Sequence, residues 1–282
     1  MTEPVRVVQR QSWREGTSSF GSRSIPEETA VALTYNGGTY AVMMTTPQDL
    51  KDFAIGFSLN EGIISSSSDI ESLDIVPFDD GVELQMWLGK PRADRLRERR
   101  RHIAGPTGCG LCGIESITEA MRPAAVIAHG GQFSPEQIMA AMRSLLPRQR
   151  LNIETRAVHA AAFWTATGGI IAVREDVGRH NALDKLSGAL AGTSVVTMEG
   201  MILLTSRVSV EMVQKSAAIG APLVVSVSAP TALAVRMADA AGITLAAIAR
   251  ADGFELFTHP KRISPENALA GDSAARSQYA VG

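Results

Sequence analysis

Cysteine is scarce in this chain of 282 residues, which contains only Cys109 and Cys112, separated by two residues. Two cysteines cannot form the network of disulfides that holds small secreted domains together. A structural zinc site usually needs four ligands, but no second cysteine pair exists, and none of the five histidines lies three to five residues from another. A zinc site would therefore need ligands that only the fold brings together.

Long apolar runs and an excess of one charge are also missing. No window approaches the roughly 18 apolar residues of a membrane-spanning helix, and the first residues lack the apolar core of a signal peptide. Lysine and arginine total 27 and aspartate and glutamate 29, so the net charge of −2 gives no overall attraction to nucleic acid or anionic membranes. We therefore expect a cytoplasmic protein that binds no nucleic acid and no membrane.

Both cysteines lie in a glycine-rich segment at 105–117, with glycine directly on both sides of Cys109 and directly after Cys112. Glycine leaves the backbone open to a partner molecule, whereas a buried structural thiol is usually surrounded by branched apolar residues. The residues from Ile114 onward predict a helix, so both thiols would lie near a helix N-terminus, where the thiolate is favoured. Three uses stay open: zinc ligation, a thioredoxin-like redox pair, and a sulfur relay through a cysteine persulfide.

An arginine-rich segment precedes the cysteines directly. It contains Arg92, Arg95, Arg97, Arg99, Arg100 and Arg101. A charge run is often only a solvated face, but guanidinium groups beside Cys109 would stabilise a thiolate and could bind phosphates or an acidic partner. We expect poor order between about Lys90 and Gly108.

The pattern of apolar runs predicts an α/β protein with a smaller N-terminal α+β portion. Its predicted parts are a flexible N-terminal tail at 1–24, the α+β portion with the cysteine segment at 25–130, a layered α/β domain at 131–263 and a flexible C-terminal tail at 264–282. The predicted elements include hairpins at 31–44 and 161–173, a helix capped by Thr46, a helix capped by Ser134, and strands at 124–128 and 194–198. From residue 180 onward helical and strand-like runs alternate, which is typical of a buried sheet covered by helices.

Polar residues mark the ends of these buried runs, where α/β proteins usually place their sites. The block 174–185 holds a dense set of ionisable side chains, which suits either helix capping or a binding or catalytic role. Ser206 and Arg207 lie between a strand and a helix and suit anion contact together with helix N–H groups. The turn at 228–231 has the same layout, and simple helix capping by Ser228 and Thr231 is an equal alternative.

Several of these motifs together resemble one known family. They are the cysteine segment 108–113, the block 174–185, the Ser206-Arg207 turn with Glu211 and Lys215, the run 229–231, and His259-Pro260 with Arg262 and Ile263. In this order and spacing they resemble the formate dehydrogenase accessory sulfurtransferase (FdhD) family over roughly residues 25–263. Each motif alone is a weak signal, but the combination is specific.

The resemblance implies a sulfurtransferase that acts through a cysteine persulfide. It implies transfer of sulfur from a cysteine desulfurase to the molybdenum (or tungsten) bis(molybdopterin guanine dinucleotide) cofactor, which activates formate dehydrogenase. The cofactor would be a bound substrate, and no permanently bound cofactor is expected. The implied fold has a cytidine deaminase-like layered core, and the implied assembly is a homodimer.

The resemblance also assigns residues. Cys109 is implied as the persulfide carrier, and Cys112 as a second catalytic thiol that holds or releases the sulfur. The cofactor-binding segment corresponds to Ile248, Ala249, Arg250, Ala251, Asp252 and Gly253, and Arg207 is expected to contact the same ligand. Ala251-Asp252-Gly253 stands where the family pattern has Pro-Gly-Arg, so one cation is lost there.

Two other functions remain consistent with the residues. A zinc-dependent deaminase-like enzyme would use Cys109 and Cys112 as ligands. A non-catalytic chaperone would bind the cofactor and its client enzyme without transferring sulfur.

Overall fold

The computed structural model of the chain describes residues 3–103 and 121–264. Its strands are β1 (Val5–Arg14), β2 (Thr17–Pro26), β3 (Thr29–Tyr35), β4 (Gly38–Thr45), β5 (Ile70–Phe78), β6 (Gly81–Leu88), β7 (His159–Thr165), β8 (Gly169–Asp176), β9 (Gly200–Leu204), β10 (Leu223–Ser226), β11 (Thr244–Arg250) and β12 (Gly253–Thr258). Its α-helices are α1 (Leu50–Asn60), α2 (Lys90–Ile103), α3 (Pro135–Leu145), α4 (Arg150–Thr155), α5 (Arg179–Ala191), α6 (Val210–Ile219) and α7 (Ala232–Ala240). No helix in the described ranges is long and apolar enough to cross a membrane.

The chain forms two compact units whose segments alternate along the sequence. The first unit comprises Met1–Arg122, Gln149–Ala160 and Arg174–Thr193. The second comprises Pro123–Arg148, Ala161–Val173 and Ser194–Gly282. This division differs from the single boundary predicted after residue 130, because α4 and α5 return to the first unit.

The first unit is built on a four-stranded sheet in the order β4-β3-β6-β5. β3 and β6 run parallel, and the two outer pairs are antiparallel. Alternate side chains of the sheet point to one face and form a core with α1. The largest members of this core include Leu33, Phe53, Leu84 and Met86. The strand and helix predictions for this portion are confirmed, although α1 begins after Asp49 rather than at a Thr46 cap. Thr46 is used in a buried polar network instead.

The N-terminal residues form a long hairpin rather than the predicted flexible tail over residues 1–24. β1 and β2 are joined by ten antiparallel residue pairs, from Val5 with Pro26 to Arg14 with Thr17. Glu15 and Gly16 make the connection at φ angles of 50° and 77°. Two successive positive φ angles are typical of the turns that match the twist of a hairpin. The Glu-Gly turn is a weak sequence signal, since asparagine or aspartate usually precedes the glycine.

Helices α1 and α5 cross at two glycines. A Cβ atom added to Gly56 would collide with the carbonyl oxygen of Asp184, and one added to Gly188 would collide with that of Asp52. Only glycine allows the two backbones to approach so closely. The predicted helix after residue 180 is therefore confirmed, but its place in the first unit depends on this contact.

The arginine-rich segment is helical through Ile103, which differs from the poor order expected from Lys90. Arg92 bonds Asp69 at 2.8 Å between Nη2 and Oδ2, which fixes the start of α2. The cysteine segment and the predicted C-terminal tail beyond Ser264 lie outside the described residues.

The second unit contains most of a six-stranded sheet in the order β12-β11-β10-β9-β7-β8. β9, β10 and β11 are parallel, while β7 and β12 run antiparallel to their neighbours. The core on one side includes Phe133, Ile138, Met201 and Val225. Ser134 and Gln137 form the predicted capping box of α3.

Two predicted strands of the second unit are corrected. Residues 124–128 form no strand, although Ile127 donates a backbone hydrogen bond to Ala241 at 2.8 Å. The strand predicted at 194–198 is instead β9 at Gly200–Leu204, where every residue is buried. A continuous apolar run without alternation has no periodic signal to set its limits.

Candidate functional site

Three parallel strands of the second unit end at one edge of the sheet. β9 ends at Leu204, β10 at Ser226 and β11 at Arg250. The residues that follow β9 and β10 lead into α6 and α7. In sheets of this kind ligands usually bind outside the carboxyl ends of the parallel strands. The predicted cofactor contacts would therefore be expected at this edge.

Hydrogen bonds hold the three strand ends together. The hydroxyl of buried Ser226 donates to the carbonyl oxygen of Ser206 at 2.6 Å and accepts from the backbone N–H of Ser228 at 3.1 Å. Ile248 in turn donates its backbone N–H to the carbonyl oxygen of Ser228 at 3.3 Å. These bonds make the edge a connected framework rather than three independent loops. Ser226 was not predicted, because it reads as the last residue of an apolar strand.

Two helices begin at this edge. Thr231 caps α7 by accepting the backbone N–H of Ala234 at 3.2 Å, which confirms the capping prediction for this residue. Ser209 precedes α6 but makes no capping bond, because its hydroxyl donates to Glu211 at 2.7 Å. The N–H groups at the start of α6 are thus not used by their N-cap side chain. A helix N-terminus of this kind favours an anion.

The predicted cofactor-binding segment forms the bend from β11 into β12. Arg250, Ala251 and Asp252 are exposed at the turn, and Gly253 begins β12 at φ 149°. Ala249 is only 5% exposed and packs in the core of the unit. Its side chain therefore cannot face a ligand, and any contact it makes would come from its backbone.

Ile248 has an unusual backbone conformation. Its φ angle is 53°, in the left-handed region that β-branched residues rarely adopt, and the pairing with β12 shifts between Ala247 and Arg250. Such a conformation costs on the order of 1–3 kcal/mol and is found most often at functional sites. The shift bends the end of β11 and exposes Arg250.

The edge carries a mixture of charges with two exposed guanidinium groups. Arg207 follows β9 and Arg250 ends β11, and both side chains are exposed. Glu211 and Asp252 are the acidic residues of the same segments, and Glu211 accepts the bond from Ser209. The structure thus brings Arg207 to the same sheet edge as the predicted segment 248–253. Two cations and a helix N-terminus can bind phosphate oxygens.

The polar block 174–185 lies in the first unit and is largely a buried network. Asp176 and Lys185 have fully buried side chains, with 2.6 Å between Oδ2 and Nζ. The carboxylate also accepts hydrogen bonds from the Thr45 hydroxyl, the backbone N–H groups of Thr46 and Gly178, and the Asn181 amide. Burial lowers the pKa of Lys185, and the negative charge of Asp176 acts in the opposite direction. With this many partners the pair serves the structure rather than a reaction.

Other residues of the block are also used by the fold. Glu175 accepts the backbone N–H groups of Leu151 and Asn152 at 2.9 and 2.8 Å, at the start of α4. Burial raises the pKa of Glu175, although these two bonds oppose the shift. Arg174 bonds Asp52 at 2.6 Å. Asn60, which was not predicted, donates to Asp184 at 2.7 Å.

Arg179 and His159 are two further ionisable residues of the first unit. Within the described part of the chain, the Nε of Arg179 is buried and has no hydrogen-bond partner. Burial, and then the charge of Arg179, lower the pKa of His159. His159 is therefore mainly neutral at neutral pH.

Cys109 and Cys112 lie outside the described residues, so their catalytic roles stay predictions. Among residues 3–103 and 121–264, no three His, Cys, Asp or Glu side chains are grouped closely enough to hold a metal ion. The terminal motif is structural: Arg262 donates to the carbonyl oxygens of Gly242 at 2.6 Å and Ile127 at 3.1 Å.

Comparisons with known proteins point to one family over most of the chain. Residues 26–264 match the FdhD/NarQ family. The chain is 52% identical to the sulfur carrier protein FdhD of Agrobacterium fabrum over 92% of this chain and 96% of that protein. It is 48% identical to the sulfur carrier protein FdhD of Cupriavidus necator over 92% and 90% of the two chains. Its fold is similar to the crystal structure of a formate dehydrogenase accessory protein from Desulfotalea psychrophila, with a TM-score of 0.73 at 24% identity over 93% and 100% of the chains.

Proposed function

The chain belongs to the FdhD/NarQ family, and from this premise we propose that it carries sulfur to the cofactor of a formate dehydrogenase. The sulfur donor is a cysteine desulfurase. The acceptor is the molybdenum (or tungsten) bis(molybdopterin guanine dinucleotide) cofactor, which is bound as a substrate. The names of the relatives support the sulfur carrier role, and the identity to two of them is about one half.

The observation that supports cofactor binding is the sheet edge of the second unit. Arg207 and the N-terminus of α6 follow β9, and Arg250 ends β11, so they lie at the carboxyl ends of the two parallel strands that flank β10. These groups fit the diphosphate of a guanine dinucleotide, because guanidinium groups and helix N–H groups both bind phosphate oxygens. Arg207 and Arg250 would hold the phosphates, and the backbone from Ile248 to Gly253 would line the site.

The sulfur transfer starts at Cys109. Its thiolate attacks the outer sulfur of the persulfide on the desulfurase, so a new S–S bond forms on Cys109 and the desulfurase cysteine leaves as a thiolate. Cys112 then has one of two roles. It either accepts the outer sulfur transiently, or attacks the inner sulfur and forms a Cys109–Cys112 disulfide while the outer sulfur leaves as sulfide. In the second case the dithiol is oxidised by two electrons and the outer sulfur is reduced by two.

The topology supports the implied cytidine deaminase-like core. The β7–β8 hairpin precedes three parallel strands connected by α6 and α7, and all belong to one sheet. We propose that the core has this relationship without the zinc chemistry, and that the protein acts as a homodimer.

A mass measurement tests sulfur transfer. The purified protein is incubated with a cysteine desulfurase and cysteine, and intact masses are recorded before and after reduction. We expect a gain of one sulfur atom that reduction removes and that Cys109→Ala abolishes, because the persulfide forms on this thiol. The Cys112→Ala variant is the matched control and should still gain sulfur. No gain on the wild-type chain would refute the proposal.

The non-catalytic alternative makes a different prediction in cells. If the chain is only a chaperone, the double variant Cys109→Ala/Cys112→Ala will restore formate dehydrogenase activity to a strain that lacks the protein. A sulfur carrier predicts no restoration, provided that immunoblots show equal amounts of both chains.

A further inference from the structure

Ser226 is the last residue of β10, the strand that lies between β9 and β11. Its side chain is 0% exposed, and the three strand residues before it are apolar. A hydroxyl buried in such surroundings needs hydrogen-bond partners, because an unpaired polar group loses its contact with water without compensation. In the described part of the chain, both of its hydrogen bonds are to backbone groups of the sheet edge.

The register places Ser226 midway between the two arginines of the proposed cofactor site. Ser226 pairs with Leu204 of β9, and the pairing of β10 with β11 ends one residue earlier, at Ala246. Arg207 follows Leu204 by three residues, and Arg250 follows Ala246 by four. Measured along the chain from the level of Ser226, each arginine is therefore three residues further on, one on each side of β10.

The Arg207 side of the edge is held by the Ser226 hydroxyl. The hydroxyl donates to the carbonyl oxygen of Ser206 at 2.6 Å, and Ser206 is itself only 3% exposed. On the other side of Arg207, Val208 donates its backbone N–H to the carbonyl oxygen of Ala229 at 3.4 Å. Arg207 thus lies between two residues that are bonded to β10 and the segment after it. Of these two bonds, the one from Ser226 depends on a side chain.

The same hydroxyl is connected to the Arg250 side through one intermediate residue. It accepts the backbone N–H of Ser228 at 3.1 Å, and the carbonyl oxygen of Ser228 accepts the backbone N–H of Ile248 at 3.3 Å. Ile248 lies two residues before Arg250 and has the left-handed φ angle of 53°. A β-branched residue keeps such a conformation only where its surroundings fix it. Ser226 is thus part of the framework that fixes the bend before Arg250.

The separation of the two arginines matters because a diphosphate is small. Neighbouring strands lie about 4.8 Å apart, so the ends of β9 and β11, on either side of β10, are separated by about 10 Å. Guanidinium groups from both sides can bind one diphosphate only if this separation is kept, since charge-assisted hydrogen bonds are short and directional. If the edge were flexible, the ligand would have to order it, and the cost of ordering would lower the affinity.

We infer that Ser226 is a positioning residue of the cofactor site, whose hydroxyl keeps Arg207 and Arg250 at the separation at which both bind the same diphosphate. This inference rests on the cofactor site in the proposed function. Because Ser226 is fully buried, it acts through the two arginines and not by contact with the ligand. A hydroxyl that only satisfied buried backbone groups would affect stability but not the contribution of the arginine pair to binding.

Calorimetry with guanosine diphosphate on the full chain tests the inference. Ser226→Ala removes the hydroxyl and should weaken binding about three- to tenfold, up to the loss of one charge-assisted bond to phosphate. Ser216→Ala is the matched control. Ser216 in α6 is also 0% exposed, but within the described residues its hydroxyl has no hydrogen-bond partner, so this variant should bind as the wild type does. Equal affinity of Ser226→Ala and the wild type would overturn the inference.

Two further substitutions at the same position keep the test decisive if Ser226→Ala does not fold. Ser226→Thr retains the hydroxyl, and Ser226→Cys fills a similar space with a thiol that is only a weak donor and acceptor. The threonine variant should bind within about twofold of the wild type, and the cysteine variant should bind more weakly than the threonine variant. Circular dichroism and thermal unfolding show which variants are folded. A cysteine variant that binds as tightly as the threonine variant would contradict the role of the hydroxyl.

A second background separates positioning from a general loss of structure. Arg250→Ala leaves one arginine at the edge, so no separation remains to be kept. Adding Ser226→Ala to this background should then lower the affinity by less than about twofold, because the two changes act on the same arginine pair. The same loss in both backgrounds would mean that Ser226 does not act through the pair, and would overturn the inference.

The wild-type chain separates this inference from the proposed function. If the wild type binds guanosine diphosphate and only the Ser226 variants behave otherwise than expected, the positioning role is wrong and the cofactor site stands. If the wild type does not bind it, the cofactor site and the positioning role are both overturned. The gain of sulfur on Cys109 is measured without the nucleotide and is independent of either result.

Discussion

At the scale of single residues, a charged pair is fully buried in the first unit. Asp176 and Lys185 are both inaccessible, and the carboxylate accepts five hydrogen bonds. From the sequence alone, the block 174–185 that contains them suits either helix capping or a binding or catalytic role. Because both charged groups are buried and hydrogen-bonded, the pair instead holds the start of α5 against the end of β4.

Asp176→Asn should therefore destabilise the fold strongly. The substitution leaves the Lys185 ammonium buried without its counter-charge, and breaking such a pair costs about 3–5 kcal/mol. The free energy of unfolding from urea denaturation measures the effect. Asp80→Asn, at an exposed turn, is the control and should change it by less than about 0.5 kcal/mol. A loss below about 1 kcal/mol at Asp176 would contradict the structural role.

His159 should make stability depend on pH. Its pKa in the fold is lowered by burial and then by Arg179, so the unfolded chain binds more protons near and below the ordinary histidine pKa of about 6.5. Stability from this residue is complete above about pH 6.5 and is lost as pH falls through that region. Denaturation at several pH values should show a shallower slope for His159→Gln between about pH 5 and pH 7. An unchanged slope would show that His159 titrates alike in both states.

At the scale of elements, the crossing of α1 and α5 depends on two residues without side chains. Both glycines face the backbone of the other helix, where no rotamer change can relieve a clash. Most element types were predicted from sequence because capping residues and apolar periodicity are local signals. The contact between these two helices is not local and was not predicted.

Gly56→Ala should destabilise the first unit by about 3 kcal/mol, because the new methyl group meets the Asp184 backbone and forces the helices apart. Gly192→Ala is the matched control, since an added Cβ there meets no atom within 4 Å. Thermal and urea unfolding of the two variants measure the difference. Equal stability of both would show that the helices can separate without cost.

At the scale of the whole molecule, the proposed function needs an anion site and a sulfur-bearing segment. The sheet edge that we propose as the anion site lies within the described residues, and the cysteines are known from the sequence. The family match begins at residue 26, so all of the N-terminal hairpin except Pro26 lies before the matched region.

Arg207→Glu and Arg250→Glu should each weaken nucleotide binding. Guanosine diphosphate is the probe, because it carries the base and phosphates of the guanylated cofactor. Each charge-assisted bond to phosphate contributes about 1.5–3 kcal/mol, so calorimetry should show a loss of about tenfold or more. Arg236→Glu, on the exposed side of α7, is the control and should bind as the wild type does. Undiminished binding by both variants would place the nucleotide elsewhere.

The sequence by itself determined the family, most helices and strands, and the two thiols, because motif spacing, caps and periodicity depend only on neighbouring residues. The tertiary structure alone decided three things. Helices α4 and α5 belong to the first unit, and Asp176 and Lys185 form a buried pair. Arg207 lies at the same sheet edge as the segment from Ile248 to Gly253. Each depends on contacts between residues far apart in the chain, and whether a polar side chain is buried or exposed is set by those contacts rather than by its own neighbours.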